Sequence, residues 1–376
     1  MRRTLLIDAI GTVIEIDGSA LSDDGWDAVE RAWSGAGAAT DALADPSATV
    51  VAHGGVITEA MLASLSIEVT LAALEQRAGE VLMLHAAGLA TDEGRVVVLV
   101  GPSGFGKTTA SRVLGRHFGY VSDESVGIEA DGTVLPYRKP LSIIEDHDHL
   151  KAQRSPEELG LRPLPDRPLR VAALVLIERD PGVAEPEVER LDPAEGIVGL
   201  AEQASYLGRL PHPLRTLWSH VAAVGGVHRV TYSDAATLAP AIAQLAGREP
   251  SRLAGQGESE PPAAPGPLRA APATTSVAQD RSAPTYRRVP VLDTLALDDD
   301  RLALLVQHGG KTTRVIVLDG IAPTIWAATA EPTMLATIAE AAVARHGEPA
   351  GTDAATLVAT SLAQLESEGL LLADAP

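Results

Sequence analysis

Apolar positions over the first two thirds of the chain switch repeatedly between the spacing of strands and that of helices. Residues 1–16 read as strands. DDGWDAVERAWSGAG, from Asp23, follows as a short amphipathic helix. TEAMLASLSIEVTLAALEQRAG, from Thr58, places apolar residues at helical spacing on more than one face, which predicts a buried helix. RVVVLVG, from Arg95, is a continuous apolar run, the pattern of a strand covered on both faces. A helix opens at Lys107 and is expected to run to about Phe118. A second buried strand spans 169–179, and ATLAPAIAQLAG supplies a last helix. Strands alternating with helices in this way predict an α/β core preceded by a smaller N-terminal region.

The pattern stops at Gly247. From there to Thr285 the chain is rich in Pro, Ala, Gly and Ser, has no apolar period, and its acidic and basic residues cancel. Such a segment buries too little surface to offset its ordering entropy, and it reads as a flexible linker. Beyond it, RLALLVQHGGKTTRVIVLDG predicts a hairpin turning at His308, Gly309, Gly310 and Lys311. Helices are then expected in APTIWAAT, in EPTMLATIAEAAVARHG and in TDAATLVATSLAQLESEGLL. The last has Asp353 as N-cap and Gly369 as its stop. The organisation expected is therefore an N-terminal region over 1–80, an α/β domain over 81–246, a linker over 247–285 and a small winged-helix-like module over 286–376.

Composition narrows the function. The 376 residues carry a net charge of −20, which argues against a nucleic-acid or anionic-membrane partner. The chain has no cysteine, so disulfides and thiolate metal sites are excluded. Asp8 interrupts the N-terminal apolar run, and the longest apolar stretches are too short to span a bilayer. A cytoplasmic protein is expected.

The strongest chemical signal is GPSGFGKT at 101–108, a full match to G-x-x-x-x-G-K-[ST] between a buried strand and a helix. Its glycines let backbone N–H groups converge on phosphates, and the helix N-terminus adds partial positive charge. Gly101, Ser103, Gly104, Gly106, Lys107, Thr108 and Thr109 form the expected nucleotide-contacting set. Lys107 would reach the terminal phosphates, and Thr108 would hold Mg²⁺ of Mg-ATP. His85 lies one hairpin upstream, and Asp123-Glu124 follows one helix downstream, after the short run FGYVS. A lone histidine in an apolar run is ordinarily a satisfied core residue, and a lone acid pair is ordinarily a solvated turn. Here the pair falls at the carboxyl end of a strand, where ligands of such sheets sit.

His85, the phosphate loop and SDE together resemble the HPr kinase/phosphorylase family, and more closely the shorter HPr-kinase-related proteins of bacterial peptide-modification clusters. The likeness covers about residues 80–180 and continues weakly to 246. It implies that Asp123 is the general base for a substrate hydroxyl, that His85 tunes its charge, and that Glu124 assists the base or the metal. A kinase base must reach the oxygen attacking the γ-phosphate, which explains its closeness to the loop. The chain has DE where the bifunctional enzymes have DD, and it lacks their Gly-rich signature loop. Phosphorylase activity and HPr as substrate are therefore not implied.

Between 138 and 154, His147, Asp148 and His149 suggest a metal site, but i, i+2 spacing does not share a helix face, and a solvated loop is expected. One of Arg138, Lys139, Lys151 or Arg154 would supply charge to the transferring phosphoryl group.

The C-terminal pattern, with Leu318, Gly320, Trp326 and LAQLESEGLL, resembles the PqqD-like peptide-recognition domains of ribosomal-peptide biosynthesis. That likeness implies a leader peptide added as a strand beside residues 313–318 and against the helix at 355–365. Thr313, Val315, Val317 and Leu318 would line the strand side, and Leu357, Thr360 and Ser361 the helix side. Trp326 reads as a core anchor. The combined expectation is an ATP- and Mg²⁺-dependent kinase for a hydroxyl of a precursor peptide, working beside other biosynthetic enzymes. A small-molecule (serine-type) kinase and a non-catalytic, nucleotide-binding delivery subunit remain alternatives.

Overall fold

The computed structural model describes residues 3–37, 45–102, 106–144, 151–248, 284–297, 300–309 and 312–374. The chain divides into two compact units, Met1–Leu253 with Lys311–Thr313, and Ala254–Gly310 with Arg314–Pro376. Most of the expected linker, and His147, Asp148 and His149, lie outside the described residues.

The N-terminal elements are β1 (Thr4–Ala9), β2 (Thr12–Asp17), α1 (Asp23–Ala32), β3 (Ala48–Val51) and α2 (Glu59–Gln76). β1 and β2 pair antiparallel, and β3 joins β2 in parallel. Ser22 caps α1 and Thr58 caps α2, each accepting a backbone N–H of the first turn. The sheet and α2 close on one core that includes Ile7, Ile14, Ile16, Trp33, Val69 and Ala73. The expectation that α2 is buried on several faces is corrected. Its packing partners β2, β3 and β10 cover one side, and Ile67 and Leu71 on the other are 57% and 53% exposed.

The main sheet follows. Its elements in chain order are β4 (Leu82–Ala90), β5 (Arg95–Val100), α3 (Lys107–Leu114), β6 (Gly119–Ser122), β7 (Ser125–Ile128), β8 (Val134–Leu135), β9 (Leu141–Ile144), β10 (Lys151–Arg154), β11 (Arg170–Arg179), β12 (Glu187–Arg190), α4 (Pro193–Ala201), β13 (Ala204–Ser205), α5 (Pro213–Ala223), β14 (Val227–Tyr232) and α6 (Ala239–Gly247). The order is β12-β14-β11-β5-β4-β7-β8, with β6 and β13 also pairing to β4, while β9 and β10 pair apart from it. β14, β11 and β5 are parallel, and β4 returns antiparallel beside β5. α3 and α6 pack against β4, β5 and β11, and α4 packs against β11 and β14. Covered in this way, β5 is apolar along its whole buried length, Val96 to Val100 being 0% exposed.

The β4–β5 hairpin turns as expected through Thr91-Asp92-Glu93-Gly94, where the Gly94 N–H donates to the Thr91 carbonyl. Gly94 has φ +80°, and a Cβ there would lie 2.4 Å from the Pro168 carbonyl oxygen, so only glycine fits. α3 ends at Leu114, earlier than expected. Gly115 caps it, and its carbonyl is turned to the Arg162 N–H.

After residue 284 come β15 (Thr285–Arg288), β16 (Asp293–Ala296), β17 (Leu302–His308), β18 (Thr312–Leu318), α7 (Ala322–Ala328), β19 (Thr333–Met334), α8 (Leu335–His346), α9 (Ala354–Ser367) and β20 (Leu371–Asp374). β16, β17 and β18 form one small sheet, and β19, β15 and β20 another. Asp353 caps α9 by accepting the Ala355 and Thr356 N–H groups. Trp326 is 3% exposed within a core shared with Leu304, Ile338, Val358 and Leu362, and Arg288 lies 5.5 Å from its ring centre.

Candidate functional site

The phosphate loop leaves the carboxyl end of β5. Of its residues, Gly101, Pro102 and Gly106 onward are described, and Ser103 and Gly104 lie outside. Gly106 precedes α3 with φ +87°, a left-handed conformation that favours glycine, and a Cβ there would lie 2.9 Å from Tyr232 Oη. Lys107 is buried, and its Nζ donates to the Gly101 carbonyl and, at 3.0 Å, to that of Pro102. Thr108 is half-buried in the first turn of α3, and Thr109 is exposed.

Strand pairing brings the other groups to the same level of the sheet. Val100, the last residue of β5, is opposite Ala86 of β4. The Ala86 N–H donates to the Glu124 carbonyl at 3.0 Å, and His85 is opposite Ser125 of β7. The start of the phosphate loop, His85 and the acid pair thus lie side by side across adjacent strands. On the other side of His85, its N–H donates to the Gln203 carbonyl at 2.7 Å, next to β13.

The two carboxylates differ. Asp123 is 4% exposed, and its Oδ1 accepts the Tyr120 hydroxyl at 3.0 Å. Glu124 is the open member, its side chain 37% exposed. Among the four cationic candidates of the 138–154 segment, Lys139 joins the pair. Its Nζ lies 2.8 Å from Glu124 Oε2 and 4.0 Å from Asp123 Oδ1. It is 3% exposed and donates also to the Pro140 carbonyl at 3.1 Å and to Ser66 Oγ at 3.5 Å. Arg138 is committed elsewhere, to Glu157 at 2.8 Å and to the Tyr120 carbonyl at 2.7 Å. Arg154 pairs with Glu59 at 3.0 Å, and the Lys151 side chain lies outside the described residues.

Charges in this cluster feel one another. Burial pushes the Lys107 ammonium below its ordinary value, and Glu124 and Asp123 oppose that shift. Burial and then Lys107 lower His85, which is therefore neutral at pH 7, although Glu124 pulls the other way. Burial alone would raise Glu124, but the Lys139 charge and hydrogen bond, helped by His85 and Lys107, hold it below its usual value. Lys139 is held above its usual value, because Asp123 and Glu124 outweigh the burial that would lower it. Burial pushes Tyr137 up to about 12, and its hydroxyl lies 3.2 Å from Thr70 Oγ1.

Tyr120, Tyr137, Ser66 and Thr70 did not stand out in the sequence. A faint signal exists in Ser66 and Thr70, two hydroxyls four residues apart on an otherwise apolar face of α2. Among the described residues no cluster of His, Asp and Glu holds a metal by itself. Mg²⁺ in phosphoryl-transfer sites is shared with the substrate phosphates, and Thr108 with Glu124 or Asp123 fits that donor set.

β18, which lies in the second unit from Arg314 onward, is an edge strand among the described residues. Val315 and Leu318 are 7% and 4% exposed, so neither presents its side chain to a peptide. Thr313, Val317 and Ser361 are half-buried, Thr360 is exposed and Leu357 is 39% exposed. Arg314 of β18 meets Glu368, at the end of α9, at 3.1 Å.

No protein-family model and no curated protein matches the chain. Among solved structures, it is similar to the HPr(Ser) kinase/phosphatase from Coxiella burnetii, with 13% identity and a TM-score of 0.26, over 43% of this chain and 92% of that one. At that TM-score the likeness bears on neither substrate nor mechanism. The main unit is an α/β assembly with a phosphate-loop motif at the carboxyl end of a central strand. No helix among the described residues is long and apolar enough to cross a membrane.

Proposed function

We propose that the chain is an ATP- and Mg²⁺-dependent kinase that phosphorylates a hydroxyl of a ribosomally made precursor peptide. The observation that carries this reading is the alignment of the end of β5, His85 and the Asp123-Glu124 pair across adjacent strands, with Lys107 opening α3 just after the phosphate loop. Lys107 and the α3 N-terminus bind phosphates, Thr108 and a carboxylate hold Mg²⁺, and the acid pair supplies a proton acceptor. Mg²⁺ would neutralise charge on the phosphates of bound nucleotide. His85, neutral at pH 7, adds no positive charge to the pair and leaves Lys107 as the phosphate-facing cation.

A peptide is proposed as substrate from the second unit. An edge strand whose Arg314 meets Glu368 at the end of α9, a helix that exposes Leu357 and Thr360, suits strand addition, where main-chain hydrogen bonds hold a peptide and side chains select it. Tethering the leader would raise the local concentration of the core peptide at the kinase site. The test is leader dependence. The full chain is given Mg-ATP and the precursor peptide encoded beside its gene, either intact or with the leader removed. Faster phosphorylation of the intact peptide is expected. Equal rates on both, or phosphorylation of free serine alone, would make it a small-molecule kinase.

A further inference from the structure

The two faces of α2 differ. Its inner face packs on β2, β3 and β10, and it supplies Ser66 to Lys139 at 3.5 Å and Thr70 to Tyr137 at 3.2 Å. Its outer face carries Ala60, Ser64, Ile67 and Leu71, all exposed, at i, i+4, i+7 and i+11, the spacing of one continuous stripe on a helix. Val51, Val56, Ile67 and Leu71 are 41%, 73%, 57% and 53% exposed, and they are the large apolar side chains that the described residues of the first unit leave exposed. Their gathering in one stretch of a strongly acidic chain marks an interaction surface, since scattered single residues are what an ordinary surface shows. Ser64 fits an apolar contact. Its hydroxyl donates to the Ala60 carbonyl of its own helix at 3.1 Å, so covering it orphans no polar group.

We propose that this stripe binds the same stripe of a second copy of the chain, with the two α2 helices antiparallel. From Ala60 to Leu71 the stripe reads small, small, large, large. Turned end for end, it is its own complement. About a two-fold axis between Ser64 and Ile67, Leu71 of one copy falls against Ala60 of the other, and Ile67 against Ser64. Charge selects the same orientation. α2 carries Glu59, Glu68 and Glu75 and no Lys or Arg, so a parallel pair would set each acid against its own copy. In the antiparallel pair Glu68 falls beside Ala63, and Glu75 beside the N-terminal end of the other helix, whose partial positive charge favours a carboxylate. Glu59 is already held by Arg154 at 3.0 Å. Only a second copy makes use of a stripe that complements itself; a foreign partner requires no such symmetry. Because the same helix holds Ser66 and Thr70 on its inner face, dimerisation would brace the wall on which Lys139 and Tyr137 lean.

The test is sedimentation of the full-length protein, without ligand, from about 1 to about 100 μM. A concentration-dependent rise toward twice the 39.0 kDa of the chain is expected. Ile67→Glu should raise the dissociation constant about tenfold or more. Should Ile67→Glu fail to fold, Ala60→Arg fills the small end of the stripe and should do the same. The register is read by cross-linking, which a chain without cysteine makes clean. Under mild oxidation a mixture of Ala60→Cys and Leu71→Cys should form a disulfide-linked dimer. Neither variant should do so alone, because like positions lie about 16 Å apart along the axis at about 1.5 Å per residue. Linking of each variant to itself would mean a parallel pair and overturn the proposal. A dimer that both Ile67→Glu and Ala60→Arg leave intact lies on another face and overturns it too. So does a monomer throughout the range; if Ile67→Cys in that monomer is shielded from a maleimide only after the precursor peptide is added, the face belongs to the peptide.

Discussion

Replacing Lys139 by methionine removes a cation from a buried cluster without removing volume. The side chains of Lys139 and Asp123 are each 3% exposed, with 4.0 Å between Nζ and Oδ1. At that distance two unit charges attract by about 4 kcal/mol at an effective dielectric constant of about 20. Removing one member of a buried pair costs about 3–5 kcal/mol, because the other charge stays behind uncompensated. Local stability is read from hydrogen exchange of the Ala86 amide, which donates to the Glu124 carbonyl across β4. Exchange in Lys139→Met should be faster by the equivalent of about 3–5 kcal/mol near neutral pH. The sign with pH follows from Glu124, whose carboxyl is held below its ordinary value of 4.5 in the folded chain. Stability from that shift is present above the unfolded value and is lost as pH falls through the folded one, so the gap between wild type and variant should narrow in acid. Adding Asp123→Asn should recover part of the loss. A change under about 0.5 kcal/mol, the size expected of a surface substitution, would refute the claim that Lys139 neutralises the acid pair.

Gly106→Ala should cost about 1–3 kcal/mol in stability, since it forces an L side chain to φ +87°. It should also weaken Mg-ATP binding measured by calorimetry. His85→Gln should flatten the pH dependence of stability. His85 is held below its ordinary value of 6.5, so wild-type stability falls as pH drops from 6.5 to the folded value and then levels, and equilibrium unfolding across that window reads the difference. Leu357→Asp, on the exposed side of α9, should weaken leader-peptide affinity about tenfold, or about 1.4 kcal/mol, with the melting temperature little changed. Trp326→Ala, in the core of the second unit, should cost about 3–5 kcal/mol in urea unfolding.

Much of this fold is legible in the residues because period and punctuation agree. The run at β5 is apolar throughout because both its faces are buried, and Gly94 marks the hairpin that carries His85 back beside it. The phosphate loop is a local motif, so its place between strand and helix follows from sequence alone. What the sequence withholds is long-range. Lys139 was one of four cations in a polar stretch, and only the folded chain shows that it, rather than Arg138 or Arg154, is turned to the acids. α2 reads as buried on several faces because Ile67 and Leu71 add apolar character to a side that the fold leaves exposed. β15 and β20 are short and pair across most of the second unit, and no local spacing announces such a partnership.

The most direct measurement is the mass of the precursor peptide after incubation with the full-length protein and Mg-ATP, with Lys107→Met as the control. The account predicts a gain of about 80 Da per phosphate, lost in the variant. A peptide that binds tightly yet keeps its mass in the presence of wild-type protein would contradict it, and would make the phosphate loop a nucleotide site of a delivery subunit.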